Sequence, residues 1–140
     1  MYVKLLQVRE VTNEKAKSPR WIAEIMKEEA KADRECFWVL HLNTKLEIIE
    51  KELVAMGLVD ATIVHPREVF KKAIVNGVTN IITVHNYPSG DLTPSSEDKA
   101  IWRQLEQAGN ILGIPVQDNL IISSEGYYSE VDNGVLEADR

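Results

Sequence analysis

The segment "VHNYPSGDLTPSSED" (residues 84–98) brings His85, Tyr87, Ser95 and Asp98 within fourteen positions of one another. Imidazole and carboxylate are the side chains that hold a catalytic zinc. Such an ion takes three protein ligands and leaves a fourth position for water, whose pKa falls to ~7. The same stretch has a second reading that requires no metal. Ser95 followed by Asp98 is S-x-x-D, the pattern of a capping box, and Pro94 beside it favours a helix start. Cys36 is the only cysteine. It rules out an internal disulfide framework and a thiolate zinc knuckle, so any metal must be held by His, Asp, Glu or Tyr.

Elements are needed on both sides of this stretch to position it. "VTNIITVH" is a nearly continuous apolar run, the pattern of a strand buried on both faces, and it ends at His85, where α/β sites usually lie. "TPSSEDKAIWRQLEQAGNILG" predicts a helix with Ile101, Leu105, Ala108 and Leu112 on one face and Gly109 and Gly113 near its end. Upstream, "SPRWIAEIMKEEAKA" predicts a helix with Ser18 as N-cap and Pro19 at its first position, Ile22, Ile25, Met26 and Glu29 marking an amphipathic spacing. "CFWVLHLN" and "LEIIEKELVAMG" read as a hairpin turning at residues 43–45 and ending at Gly57. "HPREVFKKAIVNG" is a helix from Pro66 to a stop at Gly77, with Val69, Phe70, Ala73 and Ile74 as its apolar stripe. "YVKLLQV" opens the chain as a strand, and "IPVQDNLIIS" and "YYSEV" close it as strands about the turn "SSEG". The expected order is β-α-β-β-α-β-α-β-β: an α/β (α+β) fold with a mixed sheet flanked by helices.

The 140 residues, 44% hydrophobic and 27% charged, suit a single domain over residues 1–140. No apolar run approaches the ~20 residues that cross a bilayer, and the N-terminus lacks the pattern of a secretory signal. A cytoplasmic location without membrane contact is expected. The net charge of −6 makes the chain a poor candidate for non-specific DNA binding, which depends on neutralising phosphates. Arg67, Lys71 and Lys72 form a small basic cluster that reads as a solvated helix face. His65 reads as part of the loop that starts a helix, and His41 as a surface or interface residue. The strand "FWVLHL" offers an edge at which a second copy could pair into a homo-oligomer.

The blocks "ECFWVLHLNTK", "VHPREVFKKAI", "HNYPSGDLTPSSED" and "LEQAGNILGIPVQDNLII" together resemble the RadC family, the bacterial branch of the JAMM/MPN metallopeptidase-like domains, whose fold is similar to that of cytidine deaminases. The resemblance runs from Glu35 to Tyr128, roughly two thirds of the chain. The JAMM pattern is an upstream glutamate, then H-x-H, seven residues, and S-x-x-D. It falls here on Glu35, His85, Tyr87, Ser95 and Asp98, with the spacing intact and tyrosine in place of the second histidine. The resemblance implies zinc held by His85, Asp98 and the residue at position 87, with Glu35 taking a proton from the water and Ser95 supporting the oxyanion. Tyr87 serves as a ligand only as phenolate. From a reference pKa of ~10 that ionisation costs on the order of 4 kcal/mol at pH 7 unless the metal supplies it, although haem iron does accept tyrosine.

Two further departures are legible. The family's "DH" is Asp118-Asn119 here, so a second family histidine is replaced. The helix-hairpin-helix region that begins long RadC proteins is not expected, which removes the part most suited to DNA. The resemblance therefore implies a zinc metallopeptidase or isopeptidase-type hydrolase acting on a peptide or protein. An inactive domain kept for binding a protein partner is the alternative, and the DNA-repair association of the family name stands third. A zinc deaminase would need H-x-E and P-C-x-x-C, which are absent.

Overall fold

The structure, a computed structural model, describes residues 18–57 and 64–133. The strand expected at "YVKLLQV" lies outside them. The elements are helix α1 (Pro19–Ile25), a 3-10 turn (Glu29–Lys31), strands β1 (Cys36–Leu42) and β2 (Ile48–Met56), helix α2 (Pro66–Val75), strand β3 (Asn80–Asn86), helix α3 (Ser96–Leu112) and strands β4 (Val116–Ser123) and β5 (Gly126–Ser129). They form one mixed sheet in the order β2-β1-β3-β4-β5. β3 and β4 are parallel, joined through α3, and the other neighbours are antiparallel.

Each strand feeds two cores because successive side chains point to opposite faces. Phe37, Val39, Ile81 and Ile121 pack under α2 and α3 with Phe70, Trp102 and Leu105. Trp38, Leu40, Ile82, Val84 and Leu120 pack on the other face with Ile22 and Met26. The expected α+β architecture is the observed one. Among the described residues no helix is long and apolar enough to cross a membrane.

Four local expectations need correction. The helix expected over "SPRWIAEIMKEEAKA" ends at Ile25, and Glu29–Lys31 form a separate 3-10 turn. β1 is no edge: it lies between β2 and β3, and all seven of its residues are buried. Its aromatics, Phe37 and Trp38, are core residues of the two faces. His41 is therefore not a surface residue. It is fully buried, with Nε2 2.8 Å from Glu52 Oε1 across the β1–β2 pair. The helical stripes are also narrower than the sequence spacing suggested. Ile74 at the end of α2 and Leu112 at the end of α3 are exposed.

The caps follow the sequence. Ser18 Oγ accepts from Trp21 N at 3.1 Å with Pro19 at the first turn, and Gly113 closes α3 in the left-handed region at φ +73°. Gly109 has a different role. A Cβ there would stand 2.5 Å from the Ile114 carbonyl oxygen, so only glycine lets the chain fold back from α3 into β4.

Candidate active site

The backbone pairing of β3 with β1 ends at the Phe37–His85 pair, while its pairing with β4 runs on through Asn86. Tyr87 N still donates to Ile122 O on β4 at 2.9 Å, and Gly90, at φ +90°, turns the loop by donating its N–H to Tyr87 O at 3.0 Å. Asp91 Oδ1 accepts from Thr93 N at 2.9 Å and leads the loop to Ser95. There Ser95 Oγ accepts from Asp98 N at 3.0 Å, and Asp98 Oδ2 accepts from Ser95 N at 2.9 Å. S-x-x-D is thus a capping box, as its pattern read in isolation suggests.

The same carboxylate also faces the functional candidates. Asp98 Oδ2 accepts a hydrogen bond from the Tyr87 hydroxyl, and Asp98 Oδ1 lies 3.4 Å from His85 Nδ1. The His85 and Tyr87 rings meet edge-on at 4.9 Å. On the far side of the imidazole, His85 Nε2 is 3.2 Å from Glu35 Oε1, carried by the residue just before β1. Capping and site formation are therefore two uses of one helix terminus, whose free N–H groups and dipole also favour the Asp98 charge. His85 and Asp98 are buried, whereas the Glu35 side chain is 34% exposed and open to solvent at the rim.

All five residues line one cavity of about 640 Å³. Its walls add Gly57 and, unmarked by pattern reading, Asp33, Arg34, Ser89, Asp91 and Glu97. Five carboxylates face a single guanidinium there, a charge balance that suits a cationic occupant. Only the short polar loop around Pro88–Gly90 hinted at these walls, since loops between rigid elements tend to carry sites.

The donor set fits a metal cation on chemical grounds. An imidazole, a carboxylate and a phenol oxygen converge, and His85 can ligate through one ring nitrogen while the other donates to Glu35 or Asp98, the pairing that fixes a ligating imidazole. The Tyr87 proton, now given to Asp98, is the one a metal would have to displace. His65 stays apart from this group, at the N-cap position of α2.

The Asp118-Asn119 pair builds a second polar cluster. Asn119, fully buried, accepts from the Thr83 hydroxyl and donates through Nδ2 to Glu106 Oε2 and Glu130 Oε1, both at 2.9 Å. An amide bridging two carboxyls thus stands where the resemblance places a histidine. Burial raises the pKa of Asp118, against the hydrogen bonds it accepts from Ser129, Val131 and Asn119. Burial, reinforced by the hydrogen bond and charge of Glu130, pushes the Glu106 carboxyl up to about 8 from 4.5, against Arg103 and Asn119. A carboxyl raised in the folded state holds its proton there while the unfolded chain has lost it. Its contribution is full below about 4.5 and is lost as pH rises through about 8. Glu106→Gln is expected to flatten the dependence of Tm on pH across that window and to exceed the native Tm above it, as thermal denaturation over a pH series would show.

A family model described as "RadC-like JAB domain" matches residues 16–135. Proteins named UPF0758 are similar to this chain. The one from Chlorobium chlorochromatii is 45% identical over 103 residues, covering 74% of this chain and 46% of that protein. The Thermotoga maritima protein is 44% identical over 104 residues, covering 74% and 47%, and one from Desulfitobacterium hafniense is 44% identical over 130 residues, covering 92% and 56%. The chain spans about half the length of the curated relatives it matches. Glutamate, histidine, serine and aspartate gathered in one cavity at the end of β3, on a mixed sheet of this order, and the match over most of the chain agree: it belongs to the RadC family and carries a RadC-like JAB domain.

Proposed function

We propose that this domain is a metal-dependent hydrolase of peptide or isopeptide bonds, acting in the cytoplasm, whose hold on zinc is weakened by Tyr87. The observation that carries this reading is the convergence of Glu35, His85, Tyr87, Ser95 and Asp98, from separate stretches of chain, on one cavity. His85, Asp98 and Tyr87 would hold the ion. Zinc, when bound, supplies Lewis acidity and an acidified water.

The other roles belong to the chain itself. Glu35, at the rim and within reach of His85, takes a proton from the attacking water and returns it to the leaving amine. Ser95 Oγ accepts from the Asp98 amide, which leaves its own O–H to donate to an oxyanion in the cavity it lines. The carboxylate-rich wall favours a substrate with a cationic group near the scissile bond.

The test compares metal-stripped protein, the same protein reloaded with zinc, and zinc-loaded Glu35→Gln on short peptides and a lysine-linked isopeptide. Hydrolysis only in the zinc-loaded native protein is expected. Identical behaviour of all three would sink the hydrolase reading. A second reading, a binding module for a protein partner, is favoured by one contact: the Tyr87 hydroxyl already satisfies Asp98 without a metal. Protein grown in zinc-replete medium that carries only traces of zinc would favour that module. A DNA-repair role receives no support from a chain of net charge −6.

A further inference from the structure

Asn86 sits between His85 and Tyr87 in sequence, yet strand alternation sends its side chain to the opposite face, where it is fully buried. The β1–β3 backbone ladder stops one residue earlier, at Phe37 and His85. From there the Asn86 side chain continues it. Cys36 N donates to Asn86 Oδ1 at 2.6 Å, and Asn86 Nδ2 donates to Arg34 O at 3.0 Å. A primary amide offers one acceptor and donors, as a peptide group does, so it can replace a missing rung. From the β2 side, Gly57 N donates to Glu35 O at 2.8 Å. Glu35 is thereby gripped twice: through its own carbonyl, and through the residues before and after it.

We infer that Asn86 is a positioning residue for Glu35. By tying the 34–36 segment to the end of β3, it holds the Glu35 carboxylate beside His85 without touching the cavity itself. A glutamate side chain has several rotatable bonds, and a drifting backbone would let it swing away from His85 into solvent. What this means for hydrolysis rests on the function proposed above. The placement itself rests on hydrogen bonds alone.

The experiment uses the full chain with neither metal nor substrate added, so a failed hydrolase reading leaves its outcome unaffected. Long-range proton–nitrogen NMR records the His85 ring nitrogens, and amide hydrogen exchange records Cys36, in native protein, Glu35→Gln, Asn86→Ala, Asn86→Asp and the double variant Glu35→Gln with Asn86→Ala. Asn86→Ala is expected to shift the His85 Nε2 resonance in the direction seen for Glu35→Gln. The double variant should shift it no further than Glu35→Gln alone. Cys36 exchange should quicken about tenfold or more, as fits the loss of a buried hydrogen bond. Asn86→Asp keeps an acceptor for Cys36 N and loses the donor to Arg34 O, so a smaller Nε2 shift with slow Cys36 exchange is expected. It also carries the test if Asn86→Ala does not fold. Unchanged His85 nitrogens in either folded variant, or additive shifts in the double variant, would overturn the assignment. Loss of folding in both would overturn it too, by making Asn86 a residue of the global fold.

Discussion

Tyr87→His is expected to raise zinc affinity on the order of 10²- to 10³-fold at pH 7. The native site asks zinc to bind a phenol with a reference pKa of ~10, and the three-unit gap to pH 7 corresponds to about 10³ in population of the ligating form. An imidazole with a reference pKa of ~6.5 is already mostly neutral there and needs no such ionisation. Asp98 competes as well, because the Tyr87 hydroxyl is held in a hydrogen bond to that carboxylate, which must break before the oxygen can ligate. The replacement removes this competition and completes two histidines and an aspartate around one point. Competition titration against a chelator, with zinc content measured by elemental mass spectrometry after dialysis, gives the ratio directly. Equal affinities would mean that the tyrosine ligates as readily as an imidazole, or that position 87 does not face the ion.

Asp98→Ala should cost about 3 kcal/mol of stability in metal-free protein. The capping box contributes about 1 kcal/mol, through the Ser95 amide that Asp98 satisfies. Removing the carboxylate also leaves the His85 Nδ1 side without its facing oxygen, and a buried polar group without a partner costs about 1–3 kcal/mol. The Tyr87 hydroxyl lines the cavity and can turn to water, so its loss adds less. Glu35→Ala is the control: a carboxylate 34% exposed at the cavity rim, where water can take its place beside His85 Nε2, so its removal should shift stability by about 0.5 kcal/mol or less. Denaturant unfolding of both variants in the presence of a chelator makes the comparison. Equal stabilities would mean that Asp98 is dispensable to α3 and present for ligation only.

Periodicity was most informative where a segment's neighbours did not matter. The Ser18 and Ser95 caps, the glycine stops and the buried β3 follow from local hydrogen bonding and apolar runs, and all are found where the sequence puts them. Periodicity failed where burial depends on what lies across the sheet. "FWVLHL" alternates no polarity, and nothing within it says whether both its edges are paired; β2 and β3 settle that, and with it the burial of His41. Ile74 and Leu112 satisfy their helical spacing and yet stay exposed, since spacing along a helix does not say how wide a stripe its neighbours cover.

The amino-acid sequence by itself determined the family, the order of the elements from α1 onward and the residue types at each position of the motif, including the tyrosine where a histidine is usual. These are properties of spacing along one chain. Tertiary structure alone decided that Glu35, fifty residues before His85, stands 3.2 Å from it. It also decided that Asn86 reaches back to grip that segment, that Asn119 bridges two carboxyls, and that one aspartate is both helix cap and site residue. The physical reason is that hydrogen bonds between distant segments depend on strand register and helix packing, which arise only when the whole sheet has formed.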